Sequence, residues 1–346
     1  MRAVTVIPLK AGAAELRDVP DPDPTEGSLL VEAVAVGVDG TDQEIVDGDY
    51  GWAPPGRERL VLGHESLGRV LEAPDGGFDP GDLVVGIVRH PDPVPCINCA
   101  VGEWDMCRNG RYTEHGIKER DGFIRERYRL IPEMTVKVNP SVGRLAVLTE
   151  PTSVVAKAWD HVDRIGARAR WEPERALVTG AGPIGLLGAM IGMQKGLDVH
   201  VLDRVTEGPK PELVKALGAS YHSDLEETEG KFDVVIECTG VGQLVFHAIE
   251  HTAAGGVMCL TGIAASDREI PLDTSALNKE MVLNNTVVFG SVNANRRHFR
   301  QAERALAAAD RGWLERIVSR WVPLDRWQEA LERRPDDVKT AIEFGG

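Results

Sequence analysis

Leu177-Val178-Thr179-Gly180-Ala181-Gly182-Pro183-Ile184-Gly185-Leu186-Leu187 decides the fold: an apolar strand runs into G-x-G-x-x-G and on into an apolar helix. In that order each glycine has a task. The first permits the tight turn, the second lets backbone approach a pyrophosphate, and the third lets helix and strand pack closely, while N–H groups at the helix N-terminus face the phosphates. Gly180, Gly182, Pro183, Ile184 and Gly185 therefore read as a dinucleotide-binding turn; without the flanking strand and helix the triplet would be merely a structural turn. The next strand, Val199–Leu202, ends at Asp203, about 20 residues on, where a carboxylate accepts from ribose hydroxyls and repels a 2′-phosphate. Arg204 and the nearby Lys210 put positive charge beside it, so NAD is favoured and NADP stays open. Thr239 in Cys238-Thr239-Gly240 and Thr261 in Leu260-Thr261-Gly262 stand at later strand ends, where open parallel sheets bind ligands. Cys238 and Cys259 read as small buried apolar residues.

On either side of this turn the pattern differs. Residues 1 to about 150 read as short apolar or alternating runs, such as Leu29–Val36, Val61–Leu62, Gly68–Leu71 and Leu83–Val88, broken by Pro and Gly clusters: an irregular β region. From Val154–Ile165 helical spacing sets in, and strands follow at 198–203, 232–238 and 256–261, so βαβ units and a parallel sheet are predicted. After Val287–Phe289 come two helical stretches, His298–Asp310 and Leu324–Arg333, and a last strand at Thr340–Phe344. At 346 residues the chain exceeds one core's reach of roughly 250–300, so two domains are predicted. No internal repeat or low-complexity linker interrupts it.

The 39 basic and 54 acidic residues give a net charge of −15 with no basic stripe, which excludes nucleic acid and anionic membrane as partners and favours a small substrate. The acidic excess reads as that of an acidic cytosolic protein rather than as salt adaptation. The apolar run before Pro8 is too short for a secretory signal, and the uncharged run Ala176–Gln194 holds five Gly and one Pro, so neither predicts a leader or a membrane span. Five Cys, an odd number, point to thiols and metal ligands in a reducing compartment, the cytoplasm, rather than to disulfides.

Gly63-His64-Glu65 sits in the β region with an earlier segment, Gly37-Val38-Asp39-Gly40-Thr41-Asp42, and a later one, Thr149-Glu150-Pro151. This set resembles the zinc-dependent medium-chain dehydrogenases, which carry G-[VI]-C-G-[ST]-D, then G-H-E, then a later Glu or Cys around a catalytic zinc. The family's Cys falls on Asp39 here, and a carboxylate is an accepted zinc ligand. Asp39 and His64 then need one more protein ligand, for which Glu65 and Glu150 compete; the glucose dehydrogenase branch, which the chain resembles most, has the equivalents of Asp39, His64, Glu65 and Glu150 all near the zinc. A harder Asp ligand predicts weaker zinc retention than a thiolate gives. His64 alone would read as a satisfied core histidine.

Cys96-Ile97-Asn98-Cys99 and Cys107 resemble the same family's structural zinc lobe, C-x2-C-x2-C-x7-C. The first Cys position falls on Pro93, with Asp92 beside it as a substitute ligand; the alternative is three free thiols in a loop that folds without metal. Further stretches that look like the sugar-dehydrogenase branch are Cys107–Lys118 and Phe289–Asn295. The resemblance implies that Glu114 binds sugar hydroxyls, that Asn293 lies by the nicotinamide and the substrate, that His298 lines the same mouth, and that Thr41 relays the substrate's proton. An acidic residue of the glucose enzymes falls on Val154, removing one sugar contact. Glu114 could instead be a solvated loop carboxylate and Asn293 a turn residue; His90 and His115 are read as surface residues, and Arg89 and Arg111 as phosphate contacts or partners of carboxylates.

The expectation is thus an α/β protein: a GroES-like irregular β catalytic domain of residues 1–155 and 300–346, and a Rossmann-type doubly wound parallel sheet domain of residues 156–299. Its function would be zinc-dependent oxidation of an aldose, glucose at C1 to the lactone, with hydride transfer to NAD or NADP, in a homodimer or homotetramer. A zinc-dependent polyol, threonine or alcohol dehydrogenase is the alternative enzyme, and a dinucleotide-sensing protein the non-enzyme; the sensor has no reason to keep Asp39, Thr41, His64 and Glu150 together.

Overall fold

The computed structural model describes residues 1–74, 77–263 and 269–345. Contacts divide them into two units, Met1–Ser153 with Asn293–Gly346, and Val154–Val292. The first boundary falls inside a single helix, Thr149–Gly166, whose Pro151 occupies the first turn, where its missing N–H costs no intrahelical bond.

The Val154–Val292 unit is a six-stranded sheet in the order Ser220–His222, Asp198–Leu202, Arg175–Thr179, Phe232–Glu237, Thr252–Leu260, Val287–Gly290. Every pairing is parallel. Numbered along the chain this is 3-2-1-4-5-6, the doubly wound arrangement whose crevice opens at the carboxyl end of the first strand. Arg175–Thr179, the first strand, is buried beyond its first residue and flanked by helix Pro183–Gln194, so it reads as a continuous apolar run. Leu177, Phe232, Val235, Met258 and Ile249 form the core on one face. Helices Pro209–Leu217, Gly242–Glu250 and Thr274–Asn284 complete the crossovers; the sequence reading implied such helices without placing them.

In the other unit, strand Leu29–Val38 is the hub. It pairs antiparallel with Glu65–Glu72 on one side and with Lys339–Glu343 on the other, and Arg127–Leu130 shares its first half. Its second half is buried on both faces, and two register shifts against Glu65–Glu72 bend the sheet. Smaller sheets join Arg2–Val6 to Glu15–Asp18 and Leu60–Val61, and Arg89–His90 to Thr113–His115 and Glu119–Arg120. The core includes Leu29, Leu60, Leu67 and Ile87, each fully buried; each such side chain contributes about 1.5–3 kcal/mol over exposure to water.

Three readings of local structure change. Helix Arg296–Ala308 begins two residues before the expected start, because Asn295 caps it through Arg297 N–H and completes a capping box with His298. The stretch 324–333 forms a 3-10 turn, Leu324–Arg326, and a helix of only five residues, Trp327–Leu331. His90 and His115, read as surface residues, are buried; they sit on adjacent strands and pack edge to face, with Phe123 against His115, which the alternation of such short strands does not reveal.

Candidate active site

The segment from Gly37 to Asp42 does two jobs at the end of the hub strand. Asp39 leaves the strand and caps helix Gly40–Asp47: its Oδ1 accepts from Thr41 N at 2.8 Å and from Asp42 N at 3.3 Å. Asp42 returns the bond, its Oδ2 accepting from Asp39 N at 3.1 Å. Asp39 therefore has one oxygen committed to the helix and the other, Oδ2, held 3.4 Å from His64 Nε2. On the far side of the same imidazole, Nδ1 stands 3.6 Å from Asp42 Oδ1, a residue with no exposed surface.

Glu65, the next residue, opens the paired strand opposite Gly37. A Cβ on Gly37 would lie 1.9 Å from Glu65 Oε2, so only glycine leaves room for this carboxylate. Glu65 Oε1 accepts from Lys339 Nζ at 2.5 Å, both side chains being 2% exposed. Ligand atoms of Asp39, His64 and Glu65 lie within 4.8 Å of one another. Glu150, 9% exposed on the first turn of its helix, stands outside that set but shares its field with His64, Glu65, Asp39 and Lys339.

Burial and charge oppose each other throughout this cluster. Burial raises Asp39, and the facing His64, helped by Lys339 and the Asp42 N–H, more than reverses it, leaving the carboxyl below its ordinary range. His64 is disfavoured as a cation by burial, yet Asp39 and Asp42 push it well above its ordinary value. Burial raises Glu65 against the opposing pull of Lys339, and raises Glu150 to about 8 with Glu65 and Asp39 adding to the effect of their charge. Glu65 Oε2, His64 Nδ1 and Asp42 Oδ1 are buried without a hydrogen-bond partner. Two carboxylates, an imidazole and orphaned buried lone pairs are the donor set of a divalent cation such as zinc, and a cation there would relieve the desolvation that now raises the acids.

In the same unit Glu114 is buried and its Oε1 gathers three donors, Arg89 Nε at 2.9 Å, Arg89 Nη2 at 2.9 Å and Asn293 Nδ2 at 2.9 Å. Arg89 also stacks on Tyr112 and donates to Asp105 O. Asn293 has a left-handed backbone, φ 61°, steadied by its own Oδ1 accepting from Ala294 N at 2.7 Å. Of the two arginines left open by the sequence, both pair with carboxylates: Arg89 with Glu114, Arg111 with Asp92 at 3.4 Å. His298 is fully buried in the first turn of its helix.

The lobe brings Cys96, Cys99 and Cys107 together, their sulfur atoms within 4.8 Å. Asp92 does not join them. Its oxygens accept from Val94 N and Asn109 Nδ2, each at 2.8 Å. Backbone N–H donors, Arg108 first, lower the Cys96 thiol to about 6, while burial raises Cys99 to about 11.

At the glycine turn, Gly180 has φ +88°, and a Cβ on Gly185 would lie 1.7 Å from Gly180 O. A Cβ on Gly182, which caps the helix, would meet no protein atom within 4 Å, leaving the helix N-terminus open to an anionic ligand. That geometry fits a dinucleotide pyrophosphate. Pro183 and Ile184 form the helix's first turn. Asp203 Oδ2 accepts from Ala181 N at 2.7 Å and from Lys210 Nζ at 3.0 Å, tying the second strand's end to the turn; Arg204 is exposed. Burial raises Asp203, and the donated bonds from Ala181 and Lys210 outweigh it.

Three functional side chains escaped the sequence reading. Lys339 compensates Glu65 from the other end of the chain, and Asp42 flanks His64. Glu237, fully buried, accepts from Thr179 Oγ1 at 3.1 Å, Thr239 N at 2.7 Å and Gly240 N at 3.1 Å, while its own carbonyl accepts from Thr261 Oγ1 at 2.8 Å. An acid ending an apolar strand was the available signal for Glu237; for Lys339 the sequence holds none.

Residues 143–344 match the family described as glucose dehydrogenase C-terminus, and residues 25–140 match the alcohol dehydrogenase GroES-like domain. The chain is 38% identical to glucose 1-dehydrogenase of Methanocella arvoryzae over 358 aligned positions, covering 100% of both chains. It is 41% identical to glucose 1-dehydrogenase 1 of Caldivirga maquilingensis over 352, covering 99% of both. Among solved structures it is similar to Haloferax mediterranei glucose dehydrogenase in complex with NADP, Zn and gluconolactone, with a TM-score of 0.91, 31% identity and 100% coverage of both chains.

Proposed function

Because the chain belongs to the glucose dehydrogenase family of zinc-dependent medium-chain dehydrogenases, we propose that it oxidises glucose, or a close aldose, at C1 to the lactone with hydride transfer to NAD(P). The observation that carries this is the convergence of Asp39, His64 and Glu65 within 4.8 Å at the head of the helix bearing Thr41. Asp39, His64 and a glutamate would hold the zinc. When bound, zinc supplies Lewis acidity that lowers the pKa of a substrate hydroxyl and stabilises its oxyanion.

The remaining work falls to the chain's own residues. The helix cap shared by Asp39 and Asp42 fixes the orientation of Asp39, and Asp42 places a second carboxylate beside His64 Nδ1, as outer partners of metal ligands do. Lys339 opposes the burial that raises Glu65. Burial pushes Glu150 up to about 8, and a cation bound beside it would favour its charged form. Glu114, held by Arg89 and Asn293 through one oxygen, keeps Oε2 for sugar hydroxyls, and Thr41 takes the C1 hydroxyl's proton outward. Gly182 admits the pyrophosphate, while Asp203 accepts from the adenosine ribose and favours NAD over NADP. The Met1–Ser153 and Asn293–Gly346 unit is the catalytic domain in this reading, and the other unit binds the dinucleotide. In the same reading the enzyme works in the cytoplasm as a homo-oligomer, with strand Val287–Gly290, which lies at the edge of its sheet, pairing across a two-fold axis.

No helix among the described residues is long and apolar enough to cross a membrane. The test is the initial rate of NAD and NADP reduction with aldoses, polyols and primary alcohols, with zinc content measured in parallel. Aldose turnover by zinc-loaded enzyme is expected and would show that Val154 is tolerated. Turnover of polyols or alcohols alone would keep the metal and overturn the substrate.

A further inference from the structure

Away from this site, helix Arg296–Ala308 presents Arg296, Arg300 and Arg304 on one face, four residues apart. All three line a cavity of about 440 Å³ whose other wall is Pro132–Glu133 and the strand Thr135–Lys137. Among the described residues, none of the three arginines has a carboxylate within ion-pair distance, in a chain with 54 acidic residues against 39 basic ones. Of the other charges lining it, Lys137 pairs with Asp82 at 2.6 Å and Glu303 accepts from Asn139 N at 3.0 Å, while Glu133 forms no ion pair with the arginines. Arg296 Nε is buried without a partner. Burial and the repulsion of Arg300 together hold Arg296 below its ordinary range, only partly offset by Glu133.

Like charges one turn apart destabilise a helix, and three of them around one concavity persist at a cost that an anion would remove. Guanidinium forks match phosphate oxygens bidentately, whereas a single carboxylate engages one fork. We propose that this cavity is a binding site for a small phosphorylated anion, separate from the dinucleotide and sugar sites and built on the face of helix Arg296–Ala308. Bound there, the anion stabilises the folded enzyme by mass action and steadies the helix whose N-terminal cap follows Asn293 by two residues.

Inorganic phosphate serves as the probe, added to enzyme loaded with zinc and saturating dinucleotide so that both known anion-attracting places are filled. Against chloride at equal ionic strength, phosphate at tens of millimolar should raise Tm by about 2 °C or more. Arg300 and Arg304 are exposed, so the R300A/R304A double variant folds. It should lose the phosphate-dependent rise and bind phosphate at least about tenfold more weakly, with the dinucleotide KM unchanged. A wild type that does not respond, or a double variant that responds fully, overturns the site. So does a double variant that changes only its sedimentation while phosphate has no effect on wild type, since the arginines then face a second copy of the chain.

Discussion

The two units prepare for their ligands by opposite means. In Val154–Val292 the glycine turn offers backbone N–H groups and missing side chains: Gly182 leaves open space, Gly185 allows contact at the turn, Asp203 braces that backbone, and Glu237 braces the Thr239–Gly240 turn at a neighbouring strand end. In the other unit, charged side chains are forced into a dry place, where Asp39, His64, Glu65, Glu150 and Lys339 hold one another against burial. A backbone site is cheap to keep in the absence of ligand, because exposed N–H groups are hydrated. A buried charge cluster is costly until a cation arrives, and so its members depend on one another.

The largest effect that contrast predicts is at His64. His64→Ala removes the nitrogen donor between two carboxylates, so zinc content falls below stoichiometric and kcat drops at least about a thousandfold, roughly 4 kcal/mol of barrier. Mass spectrometry of the native protein and steady-state rates check it. Retained zinc with retained turnover would break the contrast, since the metal would then not depend on the cluster. Next in size is Lys339→Met, which strands the Glu65 charge and should cost the metal-free protein about 3 kcal/mol, read as a fall in Tm. Added zinc should recover part of that loss by supplying the missing positive charge.

The same contrast explains what the sequence allowed to be read. Gly180–Gly185 is a local word: strand, turn and helix follow one another, so chain order alone located the dinucleotide turn and the doubly wound sheet. Asp39, Thr41, His64 and Glu150 were legible for a different reason, as a spaced set resembling one family. Lys339 was not, because it reaches Glu65 across 274 positions through the pairing of strand Lys339–Glu343 with the hub, which no spacing rule encodes. His90 and His115 were misread for a related reason. Their strands are two and three residues long, too short for period-2 burial to show, and the residues that bury them arrive from elsewhere in the chain. The lobe is a third case: the cysteine spacing was local and the thiols do converge, while Asp92, adjacent in sequence, turns to Asn109 and Arg111.

A smaller effect separates two neighbouring glycines. Gly182→Ala meets no protein atom within 4 Å, so Tm should hold, while the Cβ occupies space the pyrophosphate needs and dinucleotide Kd rises about thirtyfold, roughly 2 kcal/mol. Gly185→Ala drives a Cβ to 1.7 Å from Gly180 O and should lower Tm as well. Calorimetric titration with NAD beside a thermal melt distinguishes the two. Equal stability losses for both variants would mean that the turn is closed by protein contacts rather than shaped around a ligand.

The smallest effect belongs to the buried imidazoles, where the charged unit holds neutral groups as well. His115 Nδ1 lies 2.6 Å from Asp121 O, so it carries the proton, and its Nε2 accepts from His90 Nε2 at 3.1 Å. Protonating either ring would place a cation in that buried contact, and burial lowers His90 to about 3 and His115 well below its ordinary value. The unfolded chain, with imidazoles near 6.5, therefore binds protons that the folded chain refuses. Stability from this pair is fully present above about pH 7 and falls as pH drops below about 6.5, by about 1 kcal/mol per pH unit for each ring. His90→Gln keeps a donor to His115 Nε2 and removes one titrating ring, so the decline of Tm between pH 6.5 and 5 should be shallower than in wild type. An unchanged decline would assign the acid sensitivity to the metal ligands alone, and the neutral pair would then be packing rather than part of the unit's charge design.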